Sequence, residues 1–318
     1  MNYLIKTQIK RFSNASITTT DIIHHKTCLK TTNKQFDLSK LVIFSDFDYT
    51  ITNKYELSKF EKNTDNPQVL NNIYTSFSLI ENSGKISERY KLENKKLFDK
   101  HNPIDENPFL EVEYKKENSK IWLRANKQLL LEEKLTNKCL DNVVKYANKD
   151  LIRFRKGFDR FLDFIDKHNI PFYVISAGIQ DSIDAMMNYY FKNQIESLKS
   201  KDLYTSIGNK FIFNDKGQHI GFEEEEVYVF NKGEVIKNKM KHTDKNQFIM
   251  IGDHLWDVFA LDSFEGQKVT FGFGNFNKNY LEHPNYTTFI DNFDISIVND
   301  GSFDSIVDII EKHSINNI

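Results

Sequence analysis

Leu41-Val-Ile-Phe-Ser45 carries no charge, and it ends abruptly on two carboxylates in Asp46-Phe-Asp-Tyr-Thr50. A continuous apolar run of this length is the pattern of a strand buried on both faces. Carboxylates cannot continue such a strand without cost, so the chain must leave the sheet at Asp46. The pattern recurs twice. Phe172-Tyr-Val-Ile175 follows Pro171 and stops at Ser176-Ala-Gly178, and Phe248-Ile-Met-Ile251 stops at Gly252-Asp253. Val269-Thr-Phe271 and Asp294-Ile-Ser-Ile-Val298 read as further strands. Between them, Phe154 to His168 places Phe158, Phe161, Leu162 and Ile165 on one helical stripe, and Ser182 to Phe191 does the same with Ile183, Met186, Met187 and Tyr190. Ser302 to His313 reads as a closing helix. Strand–helix–strand alternation predicts an α/β fold, a parallel sheet covered by helices.

The stretch between the first two strands is far longer than the dozen or so residues a crossover requires. Lys120 to Leu135 and Leu140 to Asn148 are strong helix formers, with Pro67, Pro103 and Pro108 punctuating the remainder. Residues 54–150 therefore read as a helical cap inserted after the first strand, and residues 39–53 with 151–318 as the α/β core. Asn214-Asp-Lys-Gly217 between apolar runs signals a hairpin. Residues 1–38 read as a disordered or targeting tail whose removal to residue 36 leaves the fold intact. Its Lys6, Lys10 and Arg11, with Ser/Thr and no acid up to Thr20, suit a mitochondrial presequence as the alternative to a cytoplasmic protein.

Composition excludes several classes. Hydrophobic residues at 39% and aromatics at 14% suffice for a packed core. A net charge of −2 without a basic stripe argues against nucleic acid and for a small-molecule partner. Cys28 and Cys139 are too few and too far apart for a disulfide framework or a metal cluster. No apolar run approaches the ~18 residues of a membrane helix. A monomer is expected.

In an open α/β sheet the carboxyl ends of parallel strands gather in one crevice, which brings Asp46, Ser176 and Asp253 together. Asp46 and Asp48, two apart near a strand end, point into one pocket. One can attack phosphorus while the other protonates the leaving oxygen and then activates water. Anions crowded around a phosphate dianion demand a cation, and oxygen-only ligands specify Mg²⁺. Gly252-Asp253-His-Leu-Trp-Asp257 supplies a second carboxylate pair, on one face if a helix starts there, with Asp253 on the ion and Asp257 behind it. Ser176-Ala-Gly178 opens a helix and can hold phosphate through hydroxyl and N–H groups. Lys232 can neutralise charge at phosphorus. Glu223 to Glu226 reads as an exposed acidic face.

The order of these motifs resembles the haloacid dehalogenase superfamily, and within it the pyrimidine 5′-nucleotidase family. The resemblance rests on Ser45-Asp-Phe-Asp-Tyr-Thr-Ile-Thr52, Phe154-Arg-Lys-Gly-Phe158 and His168-Asn-Ile-Pro-Phe-Tyr-Val-Ile-Ser-Ala-Gly-Ile179. Phe213-Asn214 with Gly217, Tyr228-Val-Phe-Asn-Lys232 and Ile251-Gly-Asp253 extend it over roughly residues 39–312. It implies a Rossmann-like core with a helical cap, Mg²⁺, and hydrolysis of nucleoside 5′-monophosphates through an aspartyl phosphate. It puts the nucleophile on Asp46 and the acid/base on Asp48. Phosphate contacts fall on Ser176, Ala177, Gly178 and Lys232, and metal ligands on Asp46, Asp48 (through its carbonyl) and Asp253. Asp105 takes the place of a family glutamate that contacts the nucleoside, and Trp122 lies where the family has aromatics near the base. Asp105 is one methylene, about 1.5 Å, shorter. Gln180, His254 and Trp256 replace a glycine, glycine and serine usual in the family, while Ile121 and Asn126 replace an aromatic and a histidine. None of these removes a carboxylate or the lysine. The competing readings are a phosphatase for another small phosphoester and a non-catalytic relative that binds nucleotide or protein.

Overall fold

Every residue of Leu41–Ser45 is buried, and the strand's two-residue period splits its side chains between two cores. Leu41 and Ile43 join one hydrophobic cluster, and Val42 and Phe44 join the other. The strand thus lies inside a sheet with a core on each face. This is a computed structural model; it describes residues 22–24, 35–57, 69–107, 109–141, 143–274, 286–298 and 301–315.

The strands in chain order are β1 (Ile22–His24), β2 (Leu41–Ser45), β3 (Tyr55–Leu57), β4 (Val69–Asn72), β5 (Phe172–Ile179), β6 (Tyr204–Asn209), β7 (Phe211–Phe213), β8 (His219–Phe222), β9 (Gln247–Gly252), β10 (Gln267–Gly274) and β11 (Ile295–Val298). The main sheet runs β1-β11-β10-β9-β2-β5-β6, parallel except for β1. Its order reverses at β2, which pairs with β9 on one side and β5 on the other, the position where α/β folds bind ligands. The α/β expectation therefore holds. The Phe158–Lys167 and Phe303–Lys312 helices cover one face with Phe158, Phe161, Leu162, Phe303, Ile306 and Ile310. The Lys232–Lys239 helix covers the other with Val235 and Ile236.

Two short helices, Asn137–Asp141 and Val143–Tyr146, and three others, Ser76–Glu81, Glu88–Glu106 and Val112–Glu132, occupy the stretch between β4 and the core. The last two pack on each other through partly polar surfaces that bury His101, Lys115, Asn118 and Ser119. Pro103 lies inside the first of this pair and does not end it. Packing outweighs the one donor a proline removes there. The hairpin signal at Asn214–Gly217 is borne out as β7 and β8.

The amino-terminal expectation needs correction. Ile22–His24 pairs with β11, and Phe36 is 4% exposed in the core. The Phe36 N–H donates to the His313 carbonyl at 2.7 Å, and its own carbonyl accepts from Ile315 at 2.9 Å. Truncation to residue 36 would remove a core side chain and two backbone hydrogen bonds. Polar neighbours hid this residue from periodicity. The basic segment up to Thr20 lies outside the described residues.

Candidate active site

β2 delivers Asp46 to the switch point, where its N–H donates to the Ile251 carbonyl of β9 at 2.8 Å. Asp46 is 6% exposed, and its Oδ1 accepts from Lys232 Nζ at 2.7 Å. The same ammonium donates to Asp257 Oδ1 at 2.7 Å. Asp257 is fully buried, and its Oδ2 also accepts the His254 N–H at 3.1 Å. Asp253 leaves the end of β9 beside this triad, with Thr50 Oγ1 at 3.4 Å from its Oδ1. Carboxylate oxygens of Asp46, Asp253 and Asp257 lie within 4.8 Å of one another.

Such crowding has electrostatic consequences. Burial pushes the Asp46 carboxyl well above its ordinary value against the pull of Lys232, and Asp257 and Asp253 push it further. Burial, then Asp257, likewise raises Asp253. For Lys232, burial alone would lower the pKa, but Asp257 and Asp46 outweigh it and keep the ammonium charged. Lys232 thus sits between Asp46 and Asp257, while Lys54 and Arg155 also draw the Asp253 carboxyl down. An all-oxygen donor set of clustered carboxylates fits a hard divalent cation. Both Asp257 oxygens accept hydrogen bonds, from Lys232 and the His254 N–H.

Asp48, pushed up to about 7 by burial against two hydrogen bonds from Ser76, points into the same cavity. The Ser76 N–H donates to its Oδ1 at 2.8 Å and the Ser76 hydroxyl to its Oδ2 at 2.6 Å. Ser176, Ala177 and Gly178 line the wall beside it. They belong to the end of β5, and the helix opens only at Gln180, so the expectation that this tripeptide starts the helix fails. A register shift between Ile175 and Ile179 accounts for the misreading, because the strand continues past an irregularity. Gly178 has no room for a side chain: a Cβ there would sit 1.8 Å from Ser76 Oγ. Gly252 is equally constrained, by the Asp257 carboxylate at 2.3 Å.

Asp253 precedes the short Leu255–Val258 helix and Asp257 lies within it, so the pair does not share a helical face. A capping box accounts for Asp257 instead: His254 caps, and Asp257 answers from the third helical position. Glu226 is not part of an exposed acidic face either, since it pairs with Arg124 at 3.0 Å and Lys127 at 3.4 Å. Charge runs say nothing about partners far away in sequence.

The cavity, about 610 Å³, extends from Asp46, Asp48, Ser176, Lys232 and Asp253 to Asp105, Trp122 and Asn126. Asp105 takes hydrogen bonds from Asn118 Nδ2 and Ser119 Oγ, each 2.7 Å. Trp122 stacks near His101, ring centroids 6.2 Å apart, and meets Phe98 edge-on at 5.9 Å. Trp122 Nε1 and Asn126 Oδ1 are buried and make no hydrogen bond within the protein.

Three supporting residues had no role that motif reading could assign. Arg155, 2% exposed, donates to the carbonyls of Thr50 (2.9 Å), Tyr49 (2.8 Å) and Gly301 (3.2 Å), and so fixes the turn after Asp48. Asn209, at the end of β6, donates to the carbonyls of Ala177 and Val227, both at 2.8 Å. Ser76 is the third. Only Arg155 carried a signal, as part of Phe154-Arg-Lys-Gly-Phe158, and that signal named no role.

A family model described as pyrimidine 5′-nucleotidase (UMPH-1) matches residues 55–314. The chain is 24% identical over 280 residues to the 7-methylguanosine phosphate-specific 5′-nucleotidase A of Xenopus laevis, covering 86% of this chain and 87% of that one. It is also 24% identical over 281 residues to the putative cytosolic 5′-nucleotidase 3 of Caenorhabditis elegans, covering 86% and 70%. Among solved structures, cytosolic 5′-nucleotidase IIIB bound to cytidine matches with a TM-score of 0.64 at 23% identity over 87% of each chain. A HAD family hydrolase of Salmonella enterica matches with a TM-score of 0.50 at 12% identity, over 88% of this chain and 73% of that one. At such identities the structural likeness speaks for the fold, whereas the family model covers most of the sequence. The chain belongs to the pyrimidine 5′-nucleotidase (UMPH-1) family of hydrolytic enzymes, and its fold is that of the haloacid dehalogenase-type hydrolases.

Proposed function

We propose that this enzyme hydrolyses nucleoside 5′-monophosphates, of pyrimidines or 7-methylguanosine, to nucleoside and phosphate through an aspartyl phosphate on Asp46. The observation that carries this reading is the continuity of the cavity. Carboxylates and a lysine at one end suit a phosphate, and an unsatisfied indole donor and amide acceptor at the other suit the polar edge of a base. The names of the relatives support both base classes.

Asp46 attacks phosphorus and the P–O5′ bond breaks, with Asp48 giving its proton to the departing oxygen. Water then attacks the aspartyl phosphate and passes a proton to Asp48, which frees Asp46 and inorganic phosphate. Lys232 pulls Asp46 toward its ionised form and presents positive charge to the phosphate. Ser176, Ala177 and Gly178 hold the phosphate's remaining oxygens. Mg²⁺ would be held by Asp46, Asp253 and the Asp48 carbonyl, with Asp257 supporting, and when bound it supplies positive charge against the phosphate dianion. Residues 54–150 act as the cap that reads the base. Among the described residues no helix is long and apolar enough to cross a membrane, and the name of the nematode relative supports placement in the cytosol.

A screen of phosphate release from nucleoside monophosphates and common phosphoesters tests the reading directly. A preference for a phosphoamino acid or sugar phosphate over every nucleotide would overturn it. Activity is expected to vanish in EDTA and return with Mg²⁺, and Asp253→Ala should raise the Mg²⁺ concentration for half-maximal rate at least about tenfold. Full rate in a chelated sample would remove the metal from the mechanism. Asp105→Ala should raise KM for the best nucleotide and weaken base discrimination while sparing p-nitrophenyl phosphate, because remote contacts contribute to binding while the phosphoryl site stays whole. Its carboxylate also braces Asn118 and Ser119 behind Trp122, so the effect reaches the base through the helix pair. Equal loss on both substrates would instead assign Asp105 to folding or chemistry.

A further inference from the structure

Asp48 does not stand alone in the cavity wall. Ser76, contributed by the inserted stretch and not by the sheet, meets both of its oxygens, one with the backbone N–H at 2.8 Å and one with the hydroxyl at 2.6 Å. A planar carboxylate gripped at both oxygens cannot rotate without breaking both contacts. The Ser76 hydroxyl has a single hydrogen, and its direction is set because Oγ also accepts the Ile179 N–H at 3.2 Å. Ser76 is itself held. It is fully buried, and Thr75 with Ser78 forms a reciprocal capping box that fixes the backbone on either side. Gly178 leaves the space the pair needs, since a Cβ there would also meet Asp48 Oδ2 at 2.9 Å.

We propose that Ser76 is a positioning residue that holds the Asp48 carboxylate in line with the reacting oxygen and ties that alignment to the wall formed by Gly178 and Ile179. The proposal rests on Asp48 being the general acid/base. Each Asp48 oxygen keeps a second lone pair after receiving its bond from Ser76, so one remains for the transferable proton. In the first step that proton goes to the O5′ that leaves phosphorus. In the second it is replaced from the attacking water as the Asp46–phosphorus bond breaks. A misaligned carboxylate impairs both transfers without altering how the nucleotide binds.

The test compares Ser76→Ala and Ser76→Cys with Asp48→Asn and the wild type, in Mg²⁺, after unfolding midpoints confirm that each is folded. Cysteine preserves shape but donates poorly, which separates hydrogen bonding from packing. Both Ser76 variants are expected to lose at least about tenfold in kcat on the best nucleotide, part of the 10²–10⁴-fold that a positioned acid/base contributes. KM should stay within about twofold, the signature of an interaction made in the transition state. With p-nitrophenyl phosphate, whose leaving group needs little protonation, they should release a burst of about one nitrophenolate per enzyme before a slow steady state. Phosphorylation of Asp46 then outpaces the water step, which still needs the base. If Ser76→Ala does not fold, Ser76→Cys carries the test alone. Wild-type kcat in Ser76→Cys beside an inactive Asp48→Asn would overturn the positioning role and leave the acid/base reading standing. Wild-type turnover in Asp48→Asn would remove the acid/base reading and this proposal together.

Discussion

Asp46→Asn is expected to lower kcat by at least about 10³-fold, the scale on which enzymes lose rate when a nucleophile is removed. The amide is nearly the same size but has no carboxylate lone pair to form the bond to phosphorus. The fold should survive. Burial already disfavours the charged form of Asp46, so neutralising it removes an unfavourable charge, and Lys232 keeps Asp257 as a partner. Acid quench during turnover followed by borohydride reduction identifies the intermediate, because an acyl phosphate is reduced where a plain carboxylate is not. The wild-type peptide containing Asp46 should carry that reduction product, and the same peptide from Asp46→Asn should not. Label on a different peptide would move the nucleophile elsewhere.

Lys232→Met should be nearly as damaging, and for two separable reasons. Rate falls by about 10²–10³-fold because a charge aimed at the developing oxyanion is gone. Stability falls by about 3–5 kcal/mol because Asp46 and Asp257 lose the cation between them and remain buried. The stability loss should be larger in EDTA than in Mg²⁺, since a divalent ion beside Asp46 and Asp253 takes over part of the compensation. Denaturant titration in both buffers measures this. A loss of the same size with and without metal would mean that no ion binds next to the triad. Lys232→Arg should not rescue activity, because a planar fork does not fit a site built around one compact ammonium that is 4% exposed.

Residues acting through strand ends were legible without coordinates. Leu41–Ser45, Phe172–Ile175 and Phe248–Ile251 carry nearly unbroken apolar runs, and runs this short, stopped by Asp or Gly, fit the interior of a sheet with both faces covered. Once they are parallel neighbours, Asp46, Ser176 and Asp253 must converge, whatever the distance between them in sequence. The Phe158–Lys167 and Phe303–Lys312 helices were equally plain, because one stripe of apolar residues repeats at helical spacing. Where a side chain's role depends on what comes to meet it, the sequence was silent. Ser76, Asn209 and Glu226 are ordinary polar residues until Asp48, Val227 and Arg124 arrive beside them. Phe36 counts as core only because His313 and Ile315 return to flank it. Asp257 reads from spacing as standing behind an ion, but that its two oxygens would meet Lys232 and the His254 N–H was not in the sequence. Periodicity reports which face of an element is apolar, and that much is encoded locally. Hydrogen bonds and ion pairs between separate elements are decided only when the chain closes, because their strength depends on distances and burial that no local pattern contains.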